Sequence, residues 1–113
     1  MTVTQKPWGT YENLLEDEKT KVKKIVIKPG EKPSYQYHFK RNEVWVIVSG
    51  KGSLLLDDEL SEVEAGSVVV VPAKVKHRIT NTGQEDLIFI EVQTGEYFGE
   101  DDIVRLEDAY SRV

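Results

Sequence analysis

The feature that most constrains this chain is the shortness and the period of its apolar runs. β-Branched and apolar residues recur at every second position over four to nine residues, and each run is closed by Gly, Pro, Asn or Asp. Side chains two apart share one face of a strand, so such a chain builds short strands and tight turns. Strands are expected at Trp8–Leu14, Lys21–Lys28, Ser34–Phe39, Glu43–Ser49, Ser53–Leu56, Leu60–Val63, Ser67–Val71, His77–Asn81 and Asp86–Val92. Gly50-Lys51-Gly52 and Asp57-Asp58-Glu59 read as hairpin turns, and His77–Asn81 with Asp86–Val92 as a last strand pair. Only Asp101–Leu106 reads as helical, its two leading carboxylates suiting a helix N-terminus. The pattern implies an all-β sandwich or barrel with a short C-terminal helix, in one domain over residues 1–113. Val44–Val48 and Val68–Val71 are apolar on both faces, which calls for either a second packed sheet or a subunit interface.

Length and composition narrow the function. A chain of 113 residues fits one domain and can bury roughly 60–70% of its unfolded surface without disulfides. With no Cys, thiolate metal sites, iron–sulfur clusters and thiol nucleophiles are excluded. The net charge of −5, from 15 Lys+Arg against 20 Asp+Glu, offers no basic stripe for nucleic acid. Lys21, Lys23, Lys24 and Lys28 read as a solvated strand face. The first seven residues lack the apolar core of a secretory signal, and no run approaches the ~18 apolar residues of a membrane helix. The expectation is a cytoplasmic protein bound to neither nucleic acid nor membrane.

Both histidines sit where chemistry is plausible. Gln36 and His38 share one strand face, and Glu43 opens the next strand after a polar link. If those strands pair, Gln36, His38 and Glu43 converge inside the barrel, and His77 opens another strand whose same face carries Ile79 and Asn81. Two imidazoles, a carboxylate and an amide oxygen suit a divalent metal. A lone histidine on a strand is more often structural, and spacing alone leaves both readings open.

The order of the landmarks goes further. Gly30, five residues, Gln36-Tyr37-His38, four residues, Glu43, six residues, Gly50 is followed by Gly66, five residues, Pro72-Ala73-Lys74, two residues, His77, three residues, Asn81. This double pattern resembles the two motifs of the cupin superfamily, which implies a double-stranded β-helix, or jelly-roll barrel. Gln36 in place of a first His, Trp45 two residues after Glu43, the opening KPWGTYE (Lys6–Glu12) and the close EVQTGEYFGEDDIVRLED (Glu91–Asp108) are similar to the C-terminal isomerase domain of type II mannose-6-phosphate isomerases. In that family a guanylyltransferase precedes this domain; here the likeness runs from Lys6 to Asp108, and a stand-alone domain is expected.

The resemblance implies Gln36, His38, Glu43 and His77 as metal ligands, and Arg41 and Arg105 as sugar-phosphate contacts. The implied reaction is aldose–ketose isomerisation between mannose 6-phosphate and fructose 6-phosphate, in a homodimer. The alternatives are a non-catalytic metal- and carbohydrate-binding cupin and an iron cupin oxygenase. Zinc is the first metal expected, because the reaction needs a Lewis acid without redox change; manganese, iron, cobalt and nickel suit the same donors. For the base, Lys40 follows Gln36 and His38 at two-residue spacing and is the first candidate, with Lys24, Tyr35 and Glu91 behind it. Catalytic roles are thus expected for Lys40 and Arg105, and substrate contacts for Arg41 and Tyr35. Two departures stand out: His38-Phe39-Lys40 replaces a family His triplet, and Lys74 replaces a turn glycine. A lysine there means either that the turn avoids the left-handed region or that it is strained.

Overall fold

In the computed structural model, which describes residues 2–107, the alternating runs become strands of two antiparallel sheets. In chain order they are β1 (Val3–Lys6), β2 (Gly9–Glu16), β3 (Thr20–Ile27), β4 (Tyr35–His38), β5 (Arg41–Ser49), β6 (Lys51–Leu56), β7 (Glu59–Glu64), β8 (Val68–Val71), β9 (His77–Asn81), β10 (Leu87–Gly95) and β11 (Ile103–Glu107). One sheet runs β1-β2-β3-β10-β5-β8 and the other β11-β4-β9-β6-β7. Successive strands alternate between the sheets at several points, which is the winding of a double-stranded β-helix, and the expected all-β barrel is the fold observed.

The inward faces of three neighbouring strands explain where the site lies. On β5 the buried positions are Arg41, Glu43, Trp45 and Ile47; on β10 they are Leu87, Phe89, Glu91 and Gln93; on β3 they are Lys23, Ile25 and Ile27. Register sets Ile27 beside Leu87 and Ile47 beside Phe89 at one end, and Lys23 beside Glu91 and Glu43 beside Gln93 at the other. The barrel therefore has an apolar end and a charged end. Ile79, Leu54 and Val63 of the opposite sheet close the apolar half. Burying each large aliphatic or aromatic side chain contributes roughly 1.5–3 kcal/mol. That half therefore carries the fold and leaves the other half for polar groups that cost stability to bury.

Several expected connections differ. Gly50 does not close a hairpin, since β5 and β6 lie in different sheets. The chain crosses there with φ +90° at Gly50, where a Cβ would lie 2.6 Å from the Asp86 carbonyl oxygen. β9 and β10 are not a pair either: β9 joins β6 and β4, and β10 joins β3 and β5. Asp57-Asp58 is a two-residue hairpin turn as expected, with both residues at positive φ and Leu56 paired to Glu59. The helical tail contracts to one 3-10 turn, Glu100–Asp102; Ile103 onward pairs with β4 because the open edge of that strand offers more hydrogen bonds than an isolated helical turn. Residues 108–113, the end of the expected domain, lie outside those described.

Candidate metal centre and substrate cavity

The four expected ligands come from both sheets. Gln36 on β4 pairs opposite His77 at the start of β9, while Glu43 projects from β5 in the facing sheet. β4 and β5 do not pair, so the convergence arises across the barrel interior. His38, Glu43 and His77 are 2%, 1% and 2% exposed, and their ligand atoms all lie within 4.8 Å of one another.

Their hydrogen bonds define which atoms face inward. His77 Nδ1 lies 3.0 Å from the Val75 carbonyl oxygen, and His38 Nδ1 lies 3.3 Å from that of Asp102. A carbonyl only accepts, so each Nδ1 carries the hydrogen and each Nε2 presents its lone pair. His38 Nε2 is 3.1 Å from Glu43 Oε2, and His77 Nε2 is 3.9 Å from Glu43 Oε1. Burial holds the His77 imidazole below its ordinary pKa, outweighing the attraction of Glu43 that raises it, and so keeps the ring neutral. Arg41 donates from Nε to Glu43 Oε2 at 3.0 Å and from NH2 to His38 Nε2 at 3.2 Å, while Trp45 Nε1 donates to Glu43 Oε1 at 2.9 Å. His77 Nε2 is buried with no hydrogen-bond partner among the described residues. A buried acceptor left bare and aimed at a carboxylate is costly, and a divalent cation between them resolves both groups. The donor set thus fits a metal, and backbone carbonyls orient both imidazoles as metal-bound histidines require. Gln36 lines the adjoining cavity with His77; its Oε1 accepts the Ser34 hydroxyl at 2.7 Å and has a second lone pair.

The cavity opens at the charged end of the barrel. Arg41 and Arg105 line it, as do Lys23, Arg78, Glu91 and Glu100. Arg105 sits opposite Gln36 on β11, and its buried Nε has no hydrogen-bond partner among the described residues. Glu91 is pushed well above the usual carboxylate range, first by burial and then by the charge of Glu43; Gln93 Nε2 donates to it at 2.7 Å. Glu43 is held well below that range: burial opposes this, but the polar groups gathered around the carboxylate, His38, His77, Glu91 and Arg41, prevail. The two carboxyls are thus driven apart in acidity by their surroundings.

Three sequence-based expectations do not hold. Lys40 is exposed, with Nζ 5.1 Å from the Tyr97 ring centre, and it does not line the cavity. The strand ends at His38, so two-residue alternation no longer governs Phe39 and Lys40, whose amides donate to the Asp102 carboxylate at 3.2 and 3.0 Å. Tyr35 points to the β6–β7 turn, where its hydroxyl donates to Asp58 Oδ1 at 2.6 Å, and it too is absent from the cavity wall. Lys23, read as solvated, is 4% exposed and faces inward. Counting alternation back from Ile27 and Ile25 would have placed it there. Asp102, which in sequence suits only a helix start, holds both the His38 ring and the bend after it.

A double-stranded β-helix with a buried His/Glu/His set at one end is a cupin. Residues 1–108 match the family described as mannose-6-phosphate isomerase C-terminal, and the chain belongs to that family. It is 42% identical over 108 residues to the xanthan biosynthesis protein XanB of Xanthomonas campestris, covering 96% of this chain and 23% of that protein. It is 42% identical over 107 residues to a mannose-1-phosphate guanylyltransferase of Salmonella montevideo, covering 95% and 23%. The chain therefore spans about a quarter of the length of these curated relatives. Among solved structures, the capsular polysaccharide assembling protein CapF of Staphylococcus aureus superposes with a TM-score of 0.79 at 26% identity, covering 94% of this chain and 34% of that one. A double-stranded β-helix protein of Klebsiella pneumoniae gives 0.75 at 21% identity, covering 85% and 82%, a likeness of fold alone.

Proposed function

We propose that the chain is a metal-dependent sugar-phosphate isomerase that interconverts mannose 6-phosphate and fructose 6-phosphate as a cytoplasmic homodimer. The observation that carries this reading is the bare, buried His77 Nε2 facing Glu43 at the floor of a cavity walled by arginines. His38, Glu43 and His77, with Gln36 as fourth donor, would hold the metal, zinc first among those that suit these groups. A bound divalent ion supplies Lewis acidity toward the sugar carbonyl. Arg41 and Arg105 bind and orient the phosphorylated sugar, for which the planar guanidinium is well shaped. Trp45 and Phe89, ring centres 4.9 Å apart, close the cavity floor against water. Glu91 replaces Lys40 as the proposed acid–base: it is a carboxyl on the cavity wall that burial makes a better proton acceptor than an ordinary exposed carboxylate.

The test is a coupled assay for fructose 6-phosphate formed from mannose 6-phosphate, with each of zinc, manganese, iron, cobalt and nickel. No turnover with any of them, in a protein that binds metal, would sink the isomerase reading and leave a binding cupin. Metal uptake is checked separately by equilibrium dialysis. His38→Ala and His77→Ala should each lose more than the roughly 10–100-fold that removal of an outer-shell partner costs. Parent-like uptake by both variants would mean that these are not the ligands. Glu91→Gln should keep metal affinity but lose about 100-fold or more in turnover.

A further inference from the structure

The cavity mouth holds an acidic side chain with an unusual relation to its neighbours. Glu100, in the 3-10 turn before β11, sets its carboxylate between two buried cations, Oε1 being 3.7 Å from Lys23 Nζ and Oε2 3.6 Å from Arg41 NH1. Both separations exceed hydrogen-bond length, so the carboxylate neutralises charge without satisfying donors. Among the described residues Arg41 NH1, which is buried, has no hydrogen-bond partner, and Arg105 Nε, on the same cavity wall, has none either. The Lys23 ammonium also lies over the face of Tyr11, 4.2 Å from the ring centre. Meanwhile the Glu100 side chain is 44% exposed, against 5% and 3% for Lys23 and Arg41. The cations are built into the barrel, while the anion comes from its rim.

We propose that Glu100 is an internal placeholder in an anion site formed by Lys23, Arg41 and Arg105, and that the phosphate of a phosphorylated ligand replaces its carboxylate. A phosphate monoester brings a larger charge and three terminal oxygens to three donors that a planar carboxylate leaves unmade. The exchange needs only a rotation of the Glu100 side chain into solvent. The turn itself stays pinned, because the Asp102 carboxylate accepts the Phe39 and Lys40 amides. The wall residues follow from geometry; only the identity of the ligand rests on the isomerase reading.

Calorimetric titration of the metal-stripped chain with inorganic phosphate tests this, since chelation removes any phosphate held by a metal. Glu100→Gln is expected to bind phosphate about three- to tenfold more tightly than the parent, the competing charge having been removed. Lys23→Met and Arg105→Gln are expected to weaken it by about tenfold or more. Phosphate affinity in Glu100→Gln equal to or below the parent's would overturn the placeholder, as would absence of binding in both. If Lys23→Met does not fold, Arg105→Gln alone decides whether the named wall binds the anion, unchanged affinity counting against it. A protein without isomerase turnover could still show the tightening. An active isomerase with parent-like phosphate affinity in Glu100→Gln would lose the placeholder and keep the reaction.

Discussion

Lys74 shows how one residue registers a departure from its family's pattern. It stands where a turn glycine is usual, and it keeps the glycine's conformation, at φ +72°. For a residue with a Cβ that conformation costs roughly 1–2 kcal/mol, while a glycine returns part of this as extra freedom of the unfolded chain. Lys74→Gly is therefore expected to stabilise the protein by about 0.5–1 kcal/mol, read as a higher urea midpoint; a midpoint at or below the parent's would show that the turn is not strained. The histidines and Glu43 were legible residue by residue because each is tied to a landmark of fixed spacing. Lys40 and Tyr35 were not, because their placement depended on a strand phase that ends at His38 and on a partner, Asp58, that is 23 residues away.

At the scale of elements, periodicity reported which segments become strands but not which strands become neighbours. β3, β5 and β10 were readable from β-branched alternation, whereas β1 (VTQK) has too few apolar residues to signal itself and exists by pairing with β2. β11 likewise owes its form to the edge of β4. That sorting into two sheets brings Glu43 and Glu91 together on adjacent strands, and it has a consequence for pH. Glu91 has a folded pKa raised above its unfolded value near 4.5. The stability linked to its proton is whole below that value and is lost as the pH rises through the folded one. Glu91→Gln keeps the shape but cannot ionise. With chelator present, its urea midpoint is expected to gain on the parent's as pH rises from 4.5 upward; parallel curves would mean that Glu91 ionises as freely folded as unfolded.

At the scale of the whole molecule, the six-stranded sheet has an inner face that makes the site and an outer face that is still apolar. Val44, Val46 and Val48 of β5 are 36%, 42% and 52% exposed, and Val68 and Val70 of β8 are 63% and 58% exposed. Register sets Val44 beside Val70 and Val46 beside Val68, so the five form one continuous patch. It ends at β8, the terminal strand of its sheet. Alternation could not distinguish a second sheet from a subunit interface behind these valines; within the described chain no second sheet covers them. Contiguous apolar patches on monomers are usually small or functional, and an edge strand flanked by one invites a partner. A second copy related by a two-fold axis sets the same patch against itself, the closed solution for a self-complementary face. The protein is therefore expected to be dimeric by light scattering at micromolar concentration. Val46→Lys combined with Val68→Lys should yield a monomer that binds metal as the parent does, because both side chains point away from the barrel interior and like charges repel across the two-fold. A monomeric parent would remove the interface, and a double variant that remains dimeric would move it to another face.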